Sequence, residues 1–388
     1  MRTICCAVGF VLLAGVGSGA SASANGKGDS FAYIGTYTDH GDPPPTSKGI
    51  YLYRMQAGSP RLIPLGLAAP MSNPSFLALH PNGRFLYAVS ENFDYQAHNG
   101  TVSAFSVEPK TGRLVPLNTV SSRGAGPCHI SLDRTGKLAL VSNYGSGSFA
   151  AFPLRADGRL AEASAFLQYS GKGVDPKHQE GPHAHCVVAS PDNRFAIAVD
   201  LGLDKLLVYR LDPAKGSLEA NDPPFYKLKP GAGPRHFTFS PSGKFAYVTN
   251  ELASTVTAFA YDAGPGRLTE LQTLGTLPAG FSGLNATSEL QVHPSSKFLY
   301  AANRGYDSIA VFAIDPAKGT LALVEQAPVK GKWPRHFAMD PTGSYLLVAN
   351  ERSNNLVVFG IDAQTGRLTP GQEIKVSSPT FAMFMPVK

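Results

Sequence analysis

Imidazoles, a carboxylate and guanidiniums recur at related places along this chain. The stretch "GPRHFTFSPSGKFAYVTNE" opens near Arg235 and ends on Glu251, and Pro-Arg-His-Phe returns at 334–337, bringing Arg335. "GPHAHCVVAS" carries His183 and His185, and "HPSSKFLYAANR" closes on Arg304. A glutamate or a histidine can move a proton as general base and acid. Arginine can hold an anionic substrate and the charge that develops on an attacked carbonyl. His183 and His185 also share one strand face, as a metal pair would, but no third ligand follows at convincing spacing apart from the loop residues His178 and Glu180. The chain has no Gly-x-Ser-x-Gly elbow and no CxxC pair, so serine-hydrolase and zinc-ribbon chemistry lack a motif.

The elements that must position these residues are short antiparallel strands. Phe237 and Phe239 alternate, Ser240-Pro241-Ser242-Gly243 turns, and Phe245, Tyr247 and Val248 return. The same hairpin recurs as "HPNGRFLYAVSE", "DRTGKLALVSNY", "SPDNRFAIAVDL" and "DPTGSYLLVANE". Turns ending in leucine, such as Thr111-Gly112-Arg113-Leu114 and Thr365-Gly366-Arg367-Leu368, occur seven times at a spacing of roughly fifty residues, in the range of propeller repeats. The pattern predicts an all-β, seven-bladed β-propeller with four antiparallel strands per blade. "SSPTFAMFMP" at the C-terminus copies the opening of a repeat, and residues 31–55 hold the part it lacks. The two termini should therefore share one blade and close the ring.

A repeat supplies its own comparison. At the head of the inner strand stand Ser75, Cys128, His185, Arg235, Ser288, Arg335 and Thr380. Where the second strand ends, on the same rim, stand Tyr37, Glu91, Tyr144, Leu201, Glu251, Arg304 and Glu351. His185, Arg235, Glu251 and Arg304 come from three successive blades and can share one cleft. Arg335 and His183 are further substrate-binding candidates. Glu351 and Glu91 match Glu251 in position, so a purely structural rim glutamate is the competing reading. Asn143, Asn250, Asn303 and Asn350 read as turn residues. His129, His236 and His336 each follow the rim residue by one, which by strand alternation puts them on the opposite face.

Composition bounds the rest. Charged residues are 16%, with 40 glycines and 31 prolines, which suits a turn-rich β protein. The net charge of +6 is spread along the chain without a basic run, so no nucleic-acid partner is expected. Residues 1–24 have a secretory layout: Arg2, an apolar stretch to Gly15, then Ala22-Ser23-Ala24. The expected mature chain is one catalytic domain over 25–388, periplasmic or secreted, free of the membrane after cleavage and monomeric. Cys128 and Cys186 remain after cleavage and are expected as buried thiols.

At these residues the chain resembles the propeller-type lactonases, the family of seven-bladed 6-phosphogluconolactonase and the carboxymuconate-lactonising enzyme. "YIGTYT", "GAGPRHFTFSPSGKFAYVTNEL" and "FSGLNATSELQVHPSSKFLYAANR" carry the resemblance. It implies a site without metal or other cofactor, in which His185, Glu251, Arg235 and Arg304 act on a small anionic lactone in the channel mouth. Export departs from a cytosolic phosphorylated substrate and leaves an unphosphorylated aldonolactone equally open. Either Glu251 or His185 can be the base. A lactonising cyclase and a non-catalytic exported propeller that binds a ligand or protein are the alternative readings.

Overall fold

The computed structural model describes residues 28–41, 44–92 and 100–387. The expected leader lies outside them. Within the described residues, 28 strands, numbered β1 to β28 in chain order, form seven four-stranded antiparallel sheets, and no helix occurs. The sheets follow one another along the chain with one exception. β28 (Pro379–Pro386) lies beside β1 (Ser30–Thr36), which continues into β2 (Gly49–Met55) and β3 (Leu62–Pro70). The C-terminal strand thus completes the N-terminal blade, as the complementary ends of the sequence predict.

Each blade buries both faces against its neighbours. Phe195, Ile197 and Val199 of one blade pack with Phe237, Val248 and Phe259 of the next. The second strand of a blade is accordingly apolar nearly throughout, and every residue of β13 (Phe195–Asp200) is buried. A lone four-stranded sheet would expose these faces, so stacking is what stabilises it.

The leucine-ending turns latch one blade to the next. The hydroxyls of Tyr33, Tyr87, Tyr247 and Tyr300 donate to the carbonyls of Gly112, Gly158, Gly319 and Gly366 in the following blade, at 2.7 to 3.1 Å. Gly158 and Gly319 have φ of +85° and +71°, and a Cβ there would lie 2.3 and 2.2 Å from the Phe85 and Phe245 rings. Backbone conformation and close approach therefore both require glycine. The recurring Gly-x-Leu is an inter-blade contact as well as a turn.

Candidate active site

The innermost strands set the site. β8 (Pro127–Leu132), β12 (Ala184–Ala189), β16 (Pro234–Phe239), β20 (Ala286–Val292), β24 (Pro334–Met339) and β28 each have a pairing irregularity at their head, beside the rim residue. A bulge breaks strict alternation and re-aims side chains. The expectation that His129, His236 and His336 face away from the rim residues is therefore corrected. The His185 and His236 rings lie 5.2 Å apart, centroid to centroid. Phe76 contacts His129, His236, His336 and Phe381 at 4.4 to 5.7 Å, across the channel. Side chains from different blades meet in this layer and form a floor.

Glu289 belongs to that floor. Its Oε2 lies 2.7 Å from His236 Nδ1 and 3.1 Å from His336 Nε2. Burial pushes its carboxyl up to about 8, against the pull of Arg235 and a hydrogen bond from Gln291. Burial, with Arg235, lowers His129 to about 3 and holds His236 and His336 well below the ordinary histidine value. Three neutral imidazoles and a carboxyl that resists ionisation make this layer polar but nearly uncharged.

Above it opens a cavity of about 880 Å³, lined among others by Tyr37, Glu91, Cys128, Tyr144, His185, Glu251, Arg304, Trp333, Arg335 and Arg352. Glu251 follows β17 (Phe245–Asn250), and Arg304 ends β21 (Phe298–Arg304) of the next blade. Arg304 Nη2 lies 2.7 Å from Glu251 Oε2, and Arg235 Nε lies 2.9 Å from the same oxygen. Arg304 also donates to the carbonyls of Ala286 and Thr287, which locks its guanidinium plane. Arg235 is 2% exposed and does not line the cavity; it sits beneath Glu251, with Nε and Nη1 outside hydrogen-bond geometry. Burial raises the Glu251 carboxyl, but Arg304, Arg235 and Arg335 outweigh it, and the net shift is downward. Glu251 is an ionised carboxylate bridging two guanidiniums.

His185 is also buried, and its ring borders the cavity. Burial first, then Arg235, Arg335 and Arg304, hold it well below 6.5, so it is a neutral imidazole. Its Nδ1 lies 3.8 Å from Cys128 Sγ, and Tyr144 meets the ring edge-on at 5.6 Å. Both expected thiols are buried and free, and burial pushes their pKa values up, which disfavours the thiolate and makes them inert.

The other candidates separate. Arg335 lines the cavity but faces Glu91 at 3.1 Å and lies over the Tyr37 ring at 5.0 Å. Burial disfavours its charge, but Tyr37, Glu91 and Glu351 hold it. His183 is not in the lining: Nδ1 meets the Tyr144 carbonyl, Nε2 meets Glu180, and the ring stacks on Tyr144 at 4.5 Å. It buttresses Tyr144 from behind. Asn143 and Asn303 are buried and donate to loop carbonyls, a structural place in the hairpin corner. Trp333 and Arg352 escaped the sequence reading. Their signal lay in the same ring comparison, two residues before Arg335 and one after Glu351.

The whole arrangement has relatives. Residues 31–384 match the family model described as lactonase, 7-bladed beta-propeller. The chain is 39% identical over 309 residues to the 6-phosphogluconolactonase of Bacillus subtilis, covering 80% of this chain and 84% of that protein. It is 34% identical over 314 residues to the 6-phosphogluconolactonase of Formosa agariphila, covering 80% and 86%. The solved structure of the periplasmic gluconolactonase of Pseudomonas aeruginosa superposes with a TM-score of 0.83 at 38% identity, over 93% of this chain and all of that one. The chain belongs to the seven-bladed β-propeller lactonases, enzymes that open a cyclic ester as carboxylic ester hydrolases.

Proposed function

We propose that the protein hydrolyses a sugar-acid lactone to the open hydroxy acid, with His185 as general base and acid and without a metal. The observation that carries this reading is a neutral, desolvated His185 bordering the same cavity as the Arg304–Glu251–Arg235 cluster. His185 takes a proton from water as the water oxygen bonds to the lactone carbonyl carbon. Arg304, which lines the cavity, receives the oxyanion. Collapse of the tetrahedral intermediate breaks the bond to the ring oxygen, and His185 returns its proton there.

The electrostatics support this assignment. Burial and then three guanidiniums suppress protonation of His185. A developing oxyanion beside Arg304 offsets that positive field, so the imidazole becomes more basic as the transition state forms. Glu251 holds Arg304 and Arg235 in place through Oε2, and its lowered proton affinity makes it the poorer base. Among the described residues no three His, Cys, Asp or Glu side chains are placed to hold a metal ion. Arg304 supplies the positive charge at the carbonyl instead.

The reading includes export of residues 25–388 as a single monomeric domain after loss of residues 1–24; one relative is a periplasmic enzyme. Material recovered outside the cytoplasm, with its mass checked for loss of the leader, is to be assayed on a panel of lactones by acid release at constant pH. Turnover of an aldono-δ-lactone is the expected result. No turnover of any lactone would sink the hydrolase reading.

The pH profile is a separate check. A lowered His185 value means that the neutral, active imidazole persists as pH falls. The expected kcat/KM is flat through neutral pH, with its acid limb below 6.5, the ordinary histidine value. An acid limb at or above 6.5 would contradict a desolvated His185 among arginines.

A further inference from the structure

In five of the seven blades the residue two before the head of the inner strand takes up left-handed backbone. Asn73, Gly126, Gly233 and Ser378 do so, with φ of +42°, +58°, +61° and +47°. These are small or polar types suited to that region. In one blade the residue is Trp333, at φ +64°. A bulky side chain there is an outlier, and such outliers cluster at functional sites. The backbone is held by Trp333 N–H donating to Asp307 at 2.7 Å and by the Glu351 N–H donating to the Trp333 carbonyl at 3.1 Å.

The indole lines the cavity and carries two guanidiniums. Arg352 lies 3.4 Å and Arg304 5.3 Å from its ring centroid. Arg352 is itself unusual in the repeat: its equivalents are Thr38, Asn92, Gly145, Gly202, Leu252 and Gly305, none charged. The other guanidiniums near the cavity are committed, Arg304 and Arg235 to Glu251 and Arg335 to Glu91. Arg352 approaches Glu351 no closer than 3.9 Å, and among the described residues no hydrogen bond engages its guanidinium. The lining also holds the carboxylates of Glu91, Glu351 and Asp39, and of these Glu91 is paired with Arg335.

We propose that Arg352, held on the Trp333 ring, is a specificity-determining residue that receives an anionic group at the far end of the substrate. The group is a phosphate ester or a carboxylate on the terminal carbon of the lactone. Arg304 serves the reacting carbonyl, and the two guanidiniums, near one ring, lie within reach of the two ends of one six-carbon sugar acid. This inference rests on the lactonase reading for its kinetics, but not for its binding test.

The experiment compares the full protein with Arg352→Gln and Trp333→Asn. Substrates are 6-phosphoglucono-δ-lactone and neutral glucono-δ-lactone; binding of 6-phosphogluconate, glucarate and gluconate is measured by calorimetry. In Arg352→Gln, KM for the phosphorylated lactone is expected to rise about tenfold, the scale of one partly exposed charge-assisted contact, with kcat within about twofold. The neutral lactone should change by less than about twofold. Trp333→Asn, a residue the repeat itself uses at this position, should act in the same direction while remaining folded. Arg352→Lys should recover only part of the effect, because an ammonium lacks the planar stacking face. Tighter binding of 6-phosphogluconate than of glucarate by the wild type identifies a phosphate subsite, and the reverse order identifies a carboxylate subsite. Equal effects of Arg352→Gln on charged and neutral lactones, or no effect on either, would overturn the proposal. If the wild type opens no lactone, the lactonase reading fails, and calorimetry still decides the subsite. A preference for the two acids with a second anionic group over gluconate that Arg352→Gln removes sustains it; equal binding of all three acids overturns it.

Discussion

His185→Ala is expected to lower kcat on a cognate lactone by about 10²- to 10⁴-fold, the range for losing a general acid–base group. KM should change little, because the imidazole acts on water and the leaving oxygen rather than on substrate binding. The acid limb of the rate profile should vanish with it. Glu251→Gln is expected to cost about 10²-fold by a different route. It removes the negative charge that Arg304 and Arg235 share at 2.7 and 2.9 Å, and so loosens the guanidinium that meets the oxyanion. Its acid limb should remain, displaced to lower pH, since the unneutralised guanidiniums further disfavour the imidazolium. Arg235, 2% exposed, is then left with a buried charge that lacks its carboxylate, so a lower melting temperature should accompany the kinetic loss. Glu351→Gln, at the equivalent place in another blade, should be at least about tenfold milder, because Glu351 touches neither of those guanidiniums. Steady-state kinetics and melts of the three variants separate these outcomes. Equal losses in Glu251→Gln and Glu351→Gln would make both glutamates general features of the rim and remove Glu251 from the mechanism.

Deleting residues 377–388 should abolish cooperative unfolding. β28 pairs with β1 from Ser30–Pro386 to Thr36–Pro379, the backbone ladder by which the C-terminal segment completes the first blade. Its loss uncovers the β1 edge and removes Phe381 and Met385 from the core, each buried. Burying a side chain of that size contributes about 1.5–3 kcal/mol, against a total stability of about 5–15 kcal/mol for a typical domain. The ring also opens, so β24 loses the strand it packs against. Thermal melts followed by circular dichroism test this. A sharp transition within about 5 °C of the full-length protein would refute closure as the stabilising device.

Much of the architecture is local chemistry and therefore legible in the residues. Gly158 and Gly319 mark turns because φ above zero and contact with a phenylalanine ring leave room for no side chain. The second strands read as apolar because both of their faces are buried, and the split repeat at the two ends announces the shared blade. His185, Arg235, Glu251 and Arg304 were also legible, because a seven-fold repeat lets each position be compared with six others.

What the residues could not disclose depends on how strands from different blades meet. Glu91, Glu251 and Glu351 are equivalent in sequence, yet only the ring geometry gives Glu251 two guanidiniums, Glu91 the Arg335 guanidinium and the Tyr37 hydroxyl, and Glu351 neither kind of close pair. Strand alternation sent His236 and His336 away from the channel, and the bulges turned them into it, onto Glu289. His183 and His185, two residues apart, part company for the same reason: one braces Tyr144, the other borders the cavity. The sequence by itself determined the period, the turns, the buried strands and the list of chemically able side chains, since each depends on near neighbours in the chain. Only the tertiary structure decided which charges neutralise one another and which remain free for a substrate, because Coulomb interactions and desolvation act between residues that seven blades bring together around one axis.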